Sequence, residues 1–324
     1  MFHALRIAGQ YALALIAALT VNFLLPRLAP GDPLNAVLGS DVVNTMTPEQ
    51  LDQVRAELGI GGSLGQQFWH YISGIFSGDF GTSAVLGMPV WDALMQRLPW
   101  TLLVMSAALA LSTLIGTVLG VLSARKRGKG SDVATMASVL FLGSLPPFWV
   151  AMMLIILFST TLGWLPTFGA YKLGTSYPHA NWFIGVGQRM VMPVLALVIY
   201  QMASVLLIAR SAMQIVQEQD YIMFARARGV SERGLFYRHA FRNALLPVYT
   251  HVMLGLGALV GGALVIETVF AYPGLGSLIV MGVNARDYNL LQGLFIFTSF
   301  SVIAANFVTD LAYPLIDPRT RRSR

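Results

Sequence analysis

The stretch TLLVMSAALALSTLIGTVLGVLSA, residues 101–124, carries no charged side chain and ends on Arg125-Lys126-Arg127. As a helix it would reach about 36 Å, and a bilayer core of about 30 Å needs roughly 20 apolar residues, so it predicts a membrane span closed by a basic cluster. Working outward, five further stretches meet the same requirement, at approximately 7–26, 133–162, 190–209, 248–270 and 290–313. The expected fold is an all-α polytopic membrane protein with six transmembrane helices. Arg6 ahead of the run Tyr11–Leu25 would also suit a secretory leader. The run is followed by Pro26-Arg27-Leu28 instead of a small-x-small cleavage site, which predicts a retained span.

The composition points the same way. Of 324 residues, 56% are hydrophobic and 11% charged, against roughly 25% charged in a soluble domain. That excludes a water-soluble globule, a disordered chain and a nucleic-acid-binding protein. The net charge of +6 then reports orientation in the lipid bilayer. Six spans put both termini on one side, and fifteen of the 21 Lys and Arg fall on that side: Arg6, the cluster 125–129, six in the loop 210–242, and Arg319, Arg321, Arg322 and Arg324. The other side holds Arg27, Arg55, Arg97, Lys172, Arg189 and Arg286. Both termini are therefore expected in the cytoplasm, with the chain in the inner membrane.

Several chemistries are missing from the sequence. Cysteine is absent and the five histidines have no ligand spacing, so no disulfide, thiolate metal site or cysteine nucleophile is expected. The nearest approach to a phosphate-binding loop, Arg127-Gly-Lys-Gly-Ser131, lacks the first glycine and the hydroxyl after lysine. There is no Ser/His/Asp constellation and no His-Glu-x-x-His helix. No catalytic, cofactor or metal residue is expected in this chain.

The chain divides into a first span (1–26), an outer, periplasmic segment (27–99), and a five-helix core (100–324) carrying a cytoplasmic loop at 210–247. The outer segment predicts two amphipathic helices, one from a Thr47-Pro48-Glu49 start to Leu58 with Gly59 as its stop, the other around 66–76. They would form either a binding surface or a packed collar. Ser112, Gly116 and Gly120 in the second span, and Gly257 with Gly261 beside Ala258 with Gly262 in the fifth, are spaced for close helix packing. Pro146-Pro147 predicts a kink or an unwound turn in the third span, lining a pathway or merely bending a helix.

The loop before the fifth span is the least membrane-like inner segment. Tyr221, Phe224, Ala225 and Arg228 stand at i, i+3, i+4 and i+7, a helical stripe. Gly229 permits a left-handed turn and Ser231 can cap the next helix, so the reading is a short helix, a tight turn and a second helix returning to the membrane at Pro247. Such a basic, exposed helix-turn-helix suits docking to a cytoplasmic protein, and a solvated positive-inside loop would be equally basic.

Asp220-Tyr-x-x-Phe-Ala-Arg-Ala-Arg-Gly229 followed by Arg238-His-Ala-x-Arg-Asn-Ala-Leu-Leu-Pro247 resembles the EAA coupling loop of ABC importer permeases, in the form of the dipeptide, oligopeptide and nickel family. Leu28-Ala-Pro-Gly-Asp-Pro33, Gly78-Asp-Phe-Gly81, Glu267-Thr-Val-Phe-Ala-Tyr-Pro-Gly-Leu-Gly276, Arg286-Asp-Tyr288, Asp310 and Asp317-Pro-Arg319 resemble the same family, in order along the chain, and the long outer segment resembles its B-type subunit. The general pattern has Glu where this chain has Met223, and its Leu-Pro lies nearer the glycine, so no acidic residue at that position is given a role.

The resemblance implies the type I ABC importer permease fold and one half of a translocation pore for peptides. Nickel or chelated metal, glutathione and opine-like solutes are the alternatives. It implies a second homologous permease, two ATPase subunits that bind ATP and Mg, and an extracytoplasmic solute-binding protein. The ATPase-coupling residues would be Asp220, Tyr221, Phe224, Ala225, Arg226, Ala227, Arg228, Gly229, Arg242 and Pro247. The turn after the fifth span, with Glu267, Tyr272, Pro273, Gly274 and Gly276, is expected to form part of a periplasmic gate or binding-protein seat, or else a passive turn. A stand-alone ion-coupled carrier is the rival reading, for which the chain offers only Glu267, Asp310 and His251 near span ends.

Overall fold

The computed structural model describes residues 2–28, 34, 38–57, 60–172, 174, 177–261 and 263–316. The motif residues 29–33, the expected helix end at Leu58-Gly59, Gly262 and the tail 317–324 lie outside the described residues, as does the Asp310 side chain. The elements are helices α1 (Phe2–Leu28), α2 (Ser40–Val43), α3 (Pro48–Glu57) and α4 (Leu64–Ser77), a two-residue antiparallel hairpin of β1 (Thr82–Ser83) and β2 (Met88–Pro89), then α5 (Val90–Arg125), α6 (Gly130–Ser144) and α7 (Pro147–Leu154), which runs on into a π-helical turn. Next come α8 (Ala180–Gln217), α9 (Asp220–Ala227), α10 (Glu232–Gly234) continuing through a π-helical turn into α11 (Phe241–Ala258), then α12 (Leu264–Val269), α13 (Leu275–Ala285) and α14 (Tyr288–Ile316).

Among the described residues α5, α8 and the 288–309 part of α14 are each long and apolar enough to cross a membrane. Gly130–Ser144 and Pro147–Thr161 make a further crossing if taken together, bent by 95°. The bend falls at Pro146-Pro147, where two backbone donors are missing. Gly9–Leu25 of α1 is a shorter apolar helix.

The expected fifth span over 248–270 is not one helix. α11 ends at Ala258, a 3-10 turn covers Leu259–Gly261, and α12 restarts at Leu264. Gly255, Gly257 and Gly261 each weaken a helix by about 1 kcal/mol relative to alanine, enough to break it there. Pro247, expected at the end of a returning helix, lies inside α11.

The chain forms two compact units. The first comprises Met1–Leu102, Val260–Thr268 and Pro273–Phe307. Its core is Val90, Leu94, Leu275, Leu278, Leu290 and Leu294. Asp287, buried, accepts from the Ser83 hydroxyl at 2.6 Å and from the Val85 and Leu290 amides, so one carboxylate caps α14 and pins the hairpin loop. The Asn289 amide donates to the Thr82 carbonyl, so two of the sequence motifs, 78–81 and 286–288, have neighbours that meet here. The first outer helix starts at the expected Thr47 cap, where Thr47 and Gln50 exchange a capping box, while α4 starts at Leu64, two residues ahead of the expected position, on a capping box of Ser63 and Gln66.

The second unit comprises Leu103–Leu259, Val269–Tyr272 and Val308–Arg324. Here α5 packs on α8 through its glycines. A Cβ at Gly116 would come within 2.7 Å of Val205 Cβ, and one at Gly120 within 2.9 Å of Ala209 Cβ. The small residues of the second span thus serve packing within the chain. Gly261 meets nothing within 4 Å, and it is Gly255 that lies close to Leu109.

Candidate functional site

α9 is a helix of eight residues whose C-terminal end is fixed by backbone alone. It is a complete Schellman closure: the Val230 amide reaches the Ala225 carbonyl at 3.2 Å, the Gly229 amide reaches that of Arg226 at 3.0 Å, and Gly229 adopts φ +80°. Ser231 then caps α10 by accepting from the Gly234 amide. Gly229 is needed for its dihedral angle and not for space, since a Cβ there would meet nothing within 4 Å.

The helix has one face in and one face out. Ile222 is buried in a cluster with Val121, Ala124, Met213, Leu235 and Phe236, against which Ala225 and Val230 also pack. Phe224 and Met223 point away, 71% and 59% exposed, and Tyr221 is exposed to a lesser degree. Tyr221 is held from within, its hydroxyl accepting from the Asn243 amide at 2.7 Å. Arg226 is paired to Glu232 at 2.7 Å, whose hydrogen bond and charge raise its pKa. Asp220, Ala227, Arg228, Arg242 and Pro247 are exposed.

Basic residues that the sequence offers as orientation charges have specific partners here. Arg127 pairs with Glu218 at 2.9 Å, and the Arg125 guanidinium donates to the Tyr237 hydroxyl and lies 5.7 Å from that ring. Arg210 grips Asp132 with two bonds, Nε to Oδ1 at 3.1 Å and Nη2 to Oδ2 at 2.9 Å. Asp132 is 3% exposed and also accepts from the Ser123 hydroxyl and the Gly128 amide. This carboxylate ties the end of α5, the start of α6 and the end of α8 into one joint. Asp132, Ser123, Ile222 and Asn243 are absent from the sequence-derived site. The available signal was an acid three residues after a cluster of four basic residues.

Of the expected gate residues, Glu267, Gly274 and Gly276 meet around one carboxylate. Glu267, buried, accepts from the Thr101 hydroxyl at 2.7 Å and the Ser277 amide at 3.1 Å, while Thr101 accepts from the Leu275 amide at 2.8 Å. Together they cap α13, whose own N-cap Gly274 has no side chain to do so. Gly274 and Gly276 lie against that carboxylate, and a Cβ on Gly274 would overlap it. Pro273 directly precedes them, and Tyr272 is buried. Gly274→Ala is therefore expected to overpack the cap, costing about 1–3 kcal/mol. A lowered unfolding temperature of the purified chain in detergent, with Glu267→Gln much milder, is the result that checks it.

Residues 116–322 match the family model described as binding-protein-dependent transport system inner membrane component, and residues 1–105 match the model of its N-terminal part. The chain belongs to that family. These membrane permeases include a peptide transport system permease protein of Brucella abortus, 36% identical over 316 residues that cover 98% of this chain and 97% of that one. The dipeptide transport system permease protein DppB of Escherichia coli K12 is 34% identical, covering 99% and 98%. The glutathione transport system permease protein GsiC of Salmonella choleraesuis is 35% identical, covering 98% and 97%. Membership identifies the chain as the permease component of an ABC importer.

Proposed function

We propose that the chain crosses the inner membrane six times with both termini in the cytoplasm and forms half of the pathway of an ATP-driven peptide importer. A homologous permease supplies the other half, an extracytoplasmic binding protein delivers the peptide, and two ATPase subunits bind ATP and Mg. The peptide substrate is supported by the names of the Brucella and Escherichia relatives. Glutathione is the second reading, on the strength of the Salmonella relative.

The observation that carries the coupling role is the exposed pair Met223 and Phe224 on a helix that is otherwise fixed. Two large apolar side chains beside the charged surface of a basic loop fit a groove on another protein, where their hydration cost is lost. A push on them passes through Ile222 to α5, α8 and the π-helical turn after α10, because residues of all three line its pocket. Nucleotide closure of the ATPases would in this way move several helix ends together. To turn a 1:99 population into 99:1 the outward state must gain about 5.5 kcal/mol from nucleotide and loaded binding protein.

Accessibility labelling tests the orientation. The natural sequence has no cysteine, so single cysteines report cleanly. Ser131→Cys and Arg228→Cys should react with a membrane-impermeant maleimide only after the cells are opened, and Ser73→Cys should react in intact spheroplasts. Labelling at residue 228 from outside would refute the coupling role along with the topology.

A further inference from the structure

The outer helix α4 has three faces. Phe68, Tyr71, Ile72 and Ile75 pack with Leu19 and Phe23 of α1 and with Ile296, all within the first unit. Phe23 meets the Phe68 ring at 5.1 Å and the Tyr71 ring at 5.5 Å, and the Tyr71 hydroxyl donates to the Leu19 carbonyl at 3.1 Å. A second stripe, seven residues apart, holds Trp69 and Phe76, which are 73% and 89% exposed. Gln66, His70, Ser73 and Ser77 make the third, exposed and polar.

The packing also fixes the depth of α4. Leu19 lies inside the apolar run of α1, eight residues before Arg27, or about 12 Å along the helix. Arg27 bends back towards it, donating to the Phe23 carbonyl at 2.8 Å and the Gln67 side chain at 2.9 Å with its guanidinium 3.7 Å over the Phe23 ring. Its guanidinium is thus satisfied by protein groups at the level of Phe23, and α4 meets α1 at Phe23 and Leu19, within the apolar run. At the same level of α1, Val21, Leu24 and Leu25 are exposed as well.

We propose that α4 lies in the plane of the membrane surface and inserts Trp69 and Phe76 into the leaflet at the C-terminal end of α1. The occupant is lipid, because an apolar stripe with a tryptophan, a polar stripe beside it and a third face on a span is the arrangement of an interfacial helix. The capping box at Ser63 and the left-handed Gly78 at its end close the helix at both ends. The inference rests on α1 as a membrane span, part of the proposed topology. It makes the outer segment an anchor that holds the permease at a fixed depth.

Nitroxide labels on Trp69→Cys, Phe76→Cys, Ser73→Cys and Ile16→Cys, each in the assembled importer in nanodiscs, test it by power saturation with oxygen and a water-soluble nickel chelate. Residues 69 and 76 should collide more with oxygen than with the chelate, residue 73 should show the reverse, and residue 16 should be closed to the chelate. Chelate access at 69 and 76, or protection there from both reagents as a protein neighbour would give, overturns the proposal. Chelate access at residue 16 would overturn the span itself, so the two failures are told apart.

Discussion

Phe224→Asp is expected to abolish binding-protein-stimulated ATP hydrolysis and peptide uptake while leaving the chain folded in the membrane. The side chain belongs to no buried cluster and is 71% exposed, so its loss costs the isolated permease little. In a partner's groove an aromatic anchor contributes on the order of 2–4 kcal/mol, and a carboxylate in its place must also be desolvated. Recovery of ATPase subunits with the tagged permease should fall at least roughly fifteenfold at subunit concentrations near the original dissociation constant, which itself rises at least roughly thirtyfold. Two neighbours separate docking from folding. Ile222→Ala empties the pocket under the helix and should destabilise the permease itself by about 2–5 kcal/mol. Gly229→Ala has open space and bears only the cost of φ +80°, about 1 kcal/mol, so its coupling defect should be mild, and Gly229→Val should be worse through its β-branch. Coupled uptake at the normal rate by Phe224→Asp would remove α9 from the path of force.

The sequence carries the helices more legibly than the joints between them. Hydropathy finds α5 and α8 because a span must be apolar along its length, and caps at Thr47 and Ser231 announce helix starts by local chemistry that needs no partner. The break in the fifth span is less legible, since its glycines read equally as close packing or as weak helix. Within α9 a single stripe through Tyr221, Phe224 and Ala225 merges two faces. Eight residues are too few for periodicity to separate the buried Ile222 from the exposed Met223 and Phe224. Asp132 is hidden for a different reason. Its partners come from the ends of α5 and α8, 9 and 78 positions away, and no local pattern links an acid to an arginine at that distance. The positive-inside count is indifferent to whether a basic residue is solvated or bound, so Arg125, Arg127 and Arg210 enter it as orientation charges while each also holds the loop in place.

Arg210→Met should be the most damaging single change at this joint, and more damaging than Asp132→Asn. Removing the guanidinium leaves a buried carboxylate with the Ser123 hydroxyl and the Gly128 amide but no counter-charge, which is the costly way to break a buried pair. Asp132→Asn also leaves one charge without its partner, but that charge is the Arg210 guanidinium, whose side chain is 20% exposed against 4% for the aspartate, and the amide oxygen can still accept from Gly128. Membrane abundance of Arg210→Met should fall several-fold, and uptake with it, whereas Asp132→Asn should retain assembly and lose coupling. The reciprocal swap, Asp132→Arg with Arg210→Asp, should not rescue either function. Ser123 and Gly128 would then point donors at a guanidinium that has only donors to offer. Abundance by quantitative immunoblot and uptake of a labelled dipeptide check all three variants. Full rescue by the swap would mean that the pair acts by charge alone, and the role of Asp132 as the common acceptor of three chain segments would have to be given up.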